Sequence, residues 1–174
     1  MGTNQRSAVV MSDDETTAFV AAARTATLAT VGPNGRPHLV AMWFGLLDGR
    51  VCFETKSKSQ KAVNLRRDPA VSCMIETGDT YDTLRGIAIE GSAVVVDDTA
   101  DPRYWQAAAS VFERYYGPVG AETQSSLEAM MHKRVVVVIE PVRIRSWDHR
   151  KLGIPPMPVS GATATSLEHL RRAP

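Results

Sequence analysis

The residues best suited to chemistry lie in a short segment, residues 55–61, between a predicted strand and a predicted helix. Ser57 and Ser59 supply hydroxyl groups there, and the segment also contains three ammonium groups, those of Lys56, Lys58 and Lys61. The first N–H groups of a helix have no intrahelical acceptor, and the helix dipole makes this end positive. A turn of this composition at a helix start is suited to binding phosphate. The sequence therefore predicts a phosphate site at residues 55–61.

The basic cluster continues into the helix with Arg66 and Arg67, which leaves other interpretations open. A run of charges is also typical of a solvated helix face. Nucleic-acid binding is not predicted, because the formal net charge of the chain is only +1 and no basic stripe with interleaved aromatic residues is present. Any anion binding must therefore depend on this local cluster.

The composition is that of an ordinary globular protein of 174 residues, with 44% apolar and 22% charged residues. It predicts one domain, residues 1–152, followed by a proline-rich tail, residues 153–174, that is flexible or reaches a partner. No apolar run approaches the roughly 20 residues of a membrane span, and residues 1–12 lack the apolar stretch of a signal peptide. We expect a cytoplasmic protein with no membrane contact, and two reduced core cysteines, Cys52 and Cys73.

The hydrophobic pattern predicts short strands joined by tight turns, with helices inserted between some of them. Hairpin signals occur at residues 32–35 and at Asp48-Gly49. Strands are expected at residues 25–31, 37–47, 50–55, 70–76, 85–96, 134–139 and 142–147, with Pro141 breaking the last two apart. Helices are expected after the capping residues Ser12, Ser59 and Asp101, and at residues 121–132.

Hairpin connections between the first three strands favour an antiparallel barrel over a doubly wound fold. A GxGxxG motif after the first strand is also missing. Gly86 and Gly91 interrupt the long strand at residues 85–96, which indicates bends or bulges of the kind a barrel needs. The prediction is a mainly β fold with helical insertions and six to seven antiparallel strands.

Three motifs carry a resemblance to a known family: residues 27–31 (TLATV), residues 35–38 (GRPH) and residues 61–69 (KAVNLRRDP). Together with the element order, they resemble the split β-barrel flavin-binding family over residues 25–147. That family includes pyridoxamine 5′-phosphate oxidase and a branch that uses the deazaflavin coenzyme F-420. The resemblance implies a homodimer whose cofactor ring lies between two subunits.

The resemblance also assigns roles to individual residues. Ser59 and Lys61 would hold the cofactor phosphate, and Thr55 would contact the ring or the ribityl chain. The backbone of the second strand, from Val40 to Met42, would line the ring edge. The remaining cofactor-binding candidates are two lysines of the turn, its glutamine and one wall of the pocket: Lys56, Lys58, Gln60 and Trp147.

The sequence departs from the pattern of the oxidase at two places. Gln60 stands where the oxidase usually has an arginine, and the oxidase's C-terminal substrate motif is not present at residues 147–151. F-420 carries a polyglutamate tail beyond its phosphate, which suits the surplus lysines. We therefore expect a deazaflavin (F-420)-dependent oxidoreductase that moves a hydride to or from a small conjugated organic substrate. FMN-dependent chemistry, or a non-catalytic carrier of flavin or deazaflavin, remains the alternative.

The proton donor for such a reaction is left open by the sequence. Tyr81, in a loop, and His38, after a turn, are the candidate catalytic residues, and solvent is a third source. Each residue also has an ordinary structural interpretation, as a packed loop tyrosine and a strand histidine. No group of histidines has the spacing of metal ligands, so no metal is predicted.

Overall fold

The computed structural model describes residues 5–158, so residues 159–174, most of the predicted tail, lie outside the described residues. Seven antiparallel strands form one curled sheet in the order β2-β1-β5-β6-β7-β4-β3. The strands are β1 Ala26–Val31, β2 Pro37–Met42, β3 Gly45–Leu47, β4 Arg50–Lys56, β5 Ala70–Thr77, β6 Arg85–Val96 and β7 Arg134–Asp148. The predicted mainly β fold with helical insertions is confirmed.

In the described part of the chain, five α-helices and one 3₁₀ turn accompany the sheet. They are α1 Gln5–Ala8, α2 Asp13–Ala22, α3 Gln60–Arg67, α4 Pro102–Tyr116, α5 Gln124–Met131 and the 3₁₀ turn His149–Leu152. The predicted capping box is present, since the Ser12 N–H donates to Glu15 Oε2 at 2.7 Å and the Glu15 N–H donates to Ser12 Oγ at 3.2 Å. Within residues 5–158, each helix is too short or too polar to cross a bilayer.

Two apolar cores lie on opposite faces of strands β4, β6 and β7. The first core fills the curl of the sheet around Leu28, Phe44, Phe53 and Ile75, all fully buried. The second core lies under α4 and α5, where alternate valines of β7 meet Ala107, Ala108, Val111 and Leu127. The valine run at the start of β7 is therefore buried on both faces, which explains its continuous apolar pattern.

A guanidinium group joins helix α2 to helix α4. Arg114 of α4 donates hydrogen bonds to the carbonyl oxygens of Val20, Ala21 and Ala23, which lie at the C-terminal end of α2. The same guanidinium lies 4.4 Å from the ring centroid of Phe44 in the first core. Cations at a helix C-terminus satisfy its free carbonyl groups and its dipole, so Arg114 anchors α2 on the sheet.

The single strand predicted at residues 37–47 is wrong, because the chain bends between β2 and β3. Phe44 turns into the first core, and its N–H donates to Tyr115 Oη at 3.0 Å instead of to a strand. Trp43 stacks on the Tyr115 ring with centroids 4.3 Å apart. The break depends on contacts with α4, which no local pattern in residues 37–47 records.

The predicted strand break at Pro141 is also wrong. β7 runs through Pro141 without interruption, and a register shift opposite Glu90 and Gly91 leaves Val142 as the extra, unpaired residue of a β-bulge. Proline is tolerated at a bulge because no ladder hydrogen bond is needed there. The bulge that Gly91 indicated is therefore present, on the partner strand.

We expect Gly91→Ala to destabilise the protein, because a Cβ at this position would overlap the carbonyl oxygen of Glu140. Overpacking of this kind costs about 1–3 kcal/mol, so the melting temperature should fall by several degrees. Gly120→Ala is the matched control, since a Cβ there meets nothing within 4 Å. Equal melting temperatures for the two variants, measured by circular dichroism, would contradict the close approach at the bulge.

Candidate functional site

The turn predicted to bind phosphate is built between the end of β4 and the start of α3. The Ser57 N–H donates to the Lys133 carbonyl at 2.9 Å, and the Ser59 N–H donates to the Lys56 carbonyl at 2.9 Å. Ser59 is the N-cap of α3, and its hydroxyl lies 3.1 Å from Thr55 Oγ1. These contacts fix the turn, and they bring the hydroxyl groups of Thr55 and Ser59 together.

Several donors at this helix start have no acceptor within residues 5–158. The backbone N–H groups of Gln60 and Lys61 precede the first intrahelical hydrogen bond, and the Lys61 ammonium makes no hydrogen bond or ion pair with a described residue. Burial lowers the pKa of Lys61, an effect that Glu54 opposes and Arg134 reinforces. A partly buried cation beside free N–H donors is a set of groups that fits a phosphate.

A buried amide holds α3 in place behind the turn. Asn64 is fully buried, donates to Thr30 Oγ1 of β1 at 3.0 Å, and accepts from Gln60 Nε2 at 2.8 Å. Sequence reasoning missed this residue. Its signal is a polar residue on the apolar face of a short helix, between Ala62 and Leu65, which are both buried.

The basic cluster divides into paired and unpaired members. Arg66 is neutralised by Asp97 at 2.7 Å, and Arg67 donates to the Val31 carbonyl, so both arginines act within the fold. Lys56 donates to the His132 carbonyl at 3.2 Å. Lys58 is exposed and, like Lys61, has no described partner. The positive charge left for a ligand is therefore that of the lysines.

The second strand, β2, lies at one edge of the sheet. Val40 and Met42 pack against the first core, and β2 is hydrogen-bonded only to β1, so one side of its backbone has no strand partner in the described chain. His38 lies opposite Thr30 on the same face, and its Nδ1 is buried without a described hydrogen-bond partner. The structure thus places His38 on the side of the sheet that α3 covers.

The other two candidates, Tyr81 and Trp147, lie together in a separate cleft of about 400 Å³. Tyr81 is half exposed, and its ring lies 4.4 Å from that of His149, whose Nδ1 donates to the Tyr81 carbonyl at 2.9 Å. The Trp147 indole lies over Gly86 of β6, where a Cβ would be 2.6 Å from its ring. The cleft therefore has two aromatic walls.

One copy of the chain does not bring the cleft and the turn together. The turn adjoins Arg134 at the first residue of β7, which pairs with Lys56, whereas Trp147 lies near the last residue of the same strand. Successive strand residues add about 3.3 Å each, so the two groups lie at opposite ends of the longest strand. The sequence analysis assigned both Trp147 and the turn to the cofactor site and did not predict the distance between them.

The two cysteines are not suited to nucleophilic chemistry. Burial raises the pKa of the Cys52 and Cys73 thiols to about 12, so both are poor nucleophiles. In the part of the chain that the structure describes, no group of three His, Cys, Asp or Glu side chains could hold a metal ion.

Comparisons with solved structures show close likeness to one protein and a shared fold with others. A conserved hypothetical protein, Rv2991 from Mycobacterium tuberculosis, is 54% identical, with 93% of this chain and 100% of that chain covered and a TM-score of 0.84. An F420 reductase is 26% identical over 73% of this chain and 93% of that chain, with a TM-score of 0.52. The heme storage protein HutZ from Vibrio cholerae is 19% identical over 79% and 97%, with a TM-score of 0.63.

Sequence comparison gives the family. No curated protein matches the chain. The profile of the family described as pyridoxamine 5′-phosphate oxidase matches residues 12–148, which include every strand of the sheet. This protein therefore belongs to the pyridoxamine 5′-phosphate oxidase family.

Proposed function

We infer that the protein is an oxidoreductase that binds F-420 at the turn of residues 55–61 and exchanges a hydride with a small conjugated substrate. The observation that carries this proposal is the Lys61 ammonium, which is partly buried and has no partner within residues 5–158. Holding a cation out of water lowers stability unless an anion compensates it. A phosphate at the start of α3 would supply that anion.

Different residues around the turn would contact different parts of the cofactor. Ser59, Lys61 and the free N–H groups of α3 would hold the phosphate, while Thr55 would face the adjoining chain or ring. Gln60 is held by Asn64 at 2.8 Å and so presents its N–H rather than its side chain. The unpaired backbone edge of β2, with Val40 and Met42, would border the ring.

Charge favours F-420 over FMN. FMN ends in one phosphate, whereas F-420 continues into a polyglutamate tail that needs further cations. Lys58 is exposed and unpaired in the described chain, and Lys56 has only a carbonyl contact, so both remain available to carboxylates. The likeness to an F420 reductase supports the same choice. FMN, which also suits the family, is the competing cofactor.

A second copy of the chain would complete the site. The outer face of β2, β1 and β5 presents small and apolar residues in register, among them Leu39 and Met74, which are 64% and 39% exposed. Packing this face against its copy would bury it. It would also allow the Trp147 cleft of one subunit to approach the turn of the other.

The chemistry belongs to the cofactor, which supplies a two-electron hydride carrier when bound. The protein's own groups would orient the substrate and exclude water. A proton must still reach the substrate, and His38 or Tyr81 are the candidate donors, with solvent as the third source. His38 lies on the face of the sheet that α3 covers, and Tyr81 lies in the cleft. One variant of each residue therefore tests which of the two places delivers the proton.

Lys61→Ala should weaken F-420 binding by about tenfold or more, because a charge-assisted contact is worth about 1.5–3 kcal/mol. Affinity of the native protein should fall as pH rises through the Lys61 pKa, which lies below 10.5. Lys61→Arg keeps its charge and should remove this pH dependence. Calorimetric titrations at several pH values make the comparison, and an unchanged affinity in Lys61→Ala would refute the phosphate site.

The protein should bind F-420 more tightly than FMN, and the difference should depend on the tail. Lys56→Gln with Lys58→Gln should reduce affinity for F-420 and leave affinity for FMN nearly unchanged. Arg143→Gln, near the other end of β7 from the turn, is the control. Fluorescence titration of both cofactors measures this. Equal losses for the two cofactors would argue against tail binding by the two lysines, and a preference for FMN would move the chemistry to flavin.

Light scattering at micromolar concentration should give a dimer. Met74→Lys, which places a charge on the apolar outer face, should shift the population to monomer and lower cofactor affinity. Ser125→Lys, on the exposed face of α5, should change neither. A native monomer that still binds F-420 tightly would contradict a site shared between two copies.

A further inference from the structure

The cleft that contains Tyr81 and Trp147 combines aromatic walls with cationic groups. Its volume of about 400 Å³ falls in the range of small-molecule sites, about 300–1,000 Å³. The polar groups that line it are Arg6, Arg145, Ser146 and His149. Asp148, the nearest acid in sequence, is buried and bound by Arg150, so it does not offset these charges inside the cleft.

Arg145 has spare hydrogen-bonding capacity. Its Nη1 lies 2.8 Å from Glu90 Oε1, and both side chains are roughly half exposed, at 41% and 47%. A guanidinium group has five N–H donors, and the other donors of Arg145 have no acceptor within residues 5–158. Arg6, on α1, forms no ion pair with a described residue. Two guanidinium groups therefore remain open to an anion.

His149 is oriented toward the same space. A carbonyl oxygen can only accept, so the 2.9 Å contact with the Tyr81 carbonyl places the hydrogen of His149 on Nδ1. Nε2 makes no described hydrogen bond and is free to meet a ligand. The imidazole also contacts the Tyr81 ring, with centroids 4.4 Å apart and the ring planes tilted by 50°, so both rings line the cleft.

We propose that this cleft binds a small planar molecule carrying a carboxylate, with the ring between Tyr81 and Trp147 and the carboxylate on Arg145 and Arg6. Flat aromatic side chains favour a planar ligand, and the guanidinium fork matches a carboxylate. That this molecule is the substrate of the oxidoreductase rests on the proposed function. The binding itself does not.

Glu90 is an internal competitor for the ligand. Its carboxylate already forms an ion pair with Arg145. Exposed ion pairs of this kind contribute about 0.2–1 kcal/mol. Removing the charge in Glu90→Gln should therefore strengthen carboxylate binding by up to about fivefold. A purely structural role for Glu90 would weaken binding or leave it unchanged.

The test is calorimetric titration of the full chain, without cofactor, with 2-naphthoate and with the neutral 2-naphthamide. The carboxylate should bind at least tenfold more tightly than the amide. Arg145→Gln should remove that preference. Arg143→Gln is the matched control, because it makes the same charge change two residues away without lining the cleft. Equal binding of the two probes, or equal effects of the two arginine variants, would overturn the proposal.

Repeating the titration with F-420 present shows whether the cleft binds a substrate or part of the cofactor. Unchanged or tighter naphthoate binding supports a substrate cleft, and competitive displacement would assign the cleft to the cofactor instead and overturn the substrate role. Should naphthoate bind with the expected arginine dependence while neither F-420 nor FMN binds, the proposed function fails and the cleft stands.

Discussion

The hydrogen bond between Asn64 and Thr30 is the interaction on which the rest of the site depends. It is buried, and both partners are satisfied, because Asn64 also accepts from Gln60. A buried amide without partners costs about 1–3 kcal/mol, so α3 has one favoured position on β1. That position fixes the start of α3, and with it the orientation of Ser59 and Lys61. The candidate phosphate site is thus positioned by a contact buried behind it.

Local signals in the sequence account for most of the fold. The capping box at Ser12, the hairpin turns and the alternation of the strands each act over a few residues, and each appears in the structure. The errors arise where distant contacts override the local pattern. Phe44 leaves its strand because Tyr115, on α4, accepts its N–H, and Pro141 stays in β7 because Gly91 across the ladder makes room for a bulge.

The candidate site likewise combines features that local sequence predicts with features that depend on distant contacts. The turn at residues 55–61 follows from composition and position, so Thr55 and Ser59 could be placed together from sequence. The ion pair that neutralises Arg66 could not be predicted, because its partner Asp97 is distant in sequence. Asn64 stands out as a polar residue on an apolar helix face, but its partner Thr30 is 34 residues away and could not be named from sequence. The grouping of Tyr81 with His149 and Arg145 depends on how the end of β7 meets the loop after β5, and only the folded chain reveals it.

The contacts of Arg114 have a consequence for how the protein opens. One side chain of α4 binds the carboxyl end of α2 and lies over the ring of Phe44 in the core. α2 is therefore coupled to the sheet although no strand pairs with it. Its amide hydrogens should exchange with solvent through the same cooperative opening as the amides of the central strands. We therefore expect α2 to open together with the strands of the sheet rather than to unfold separately.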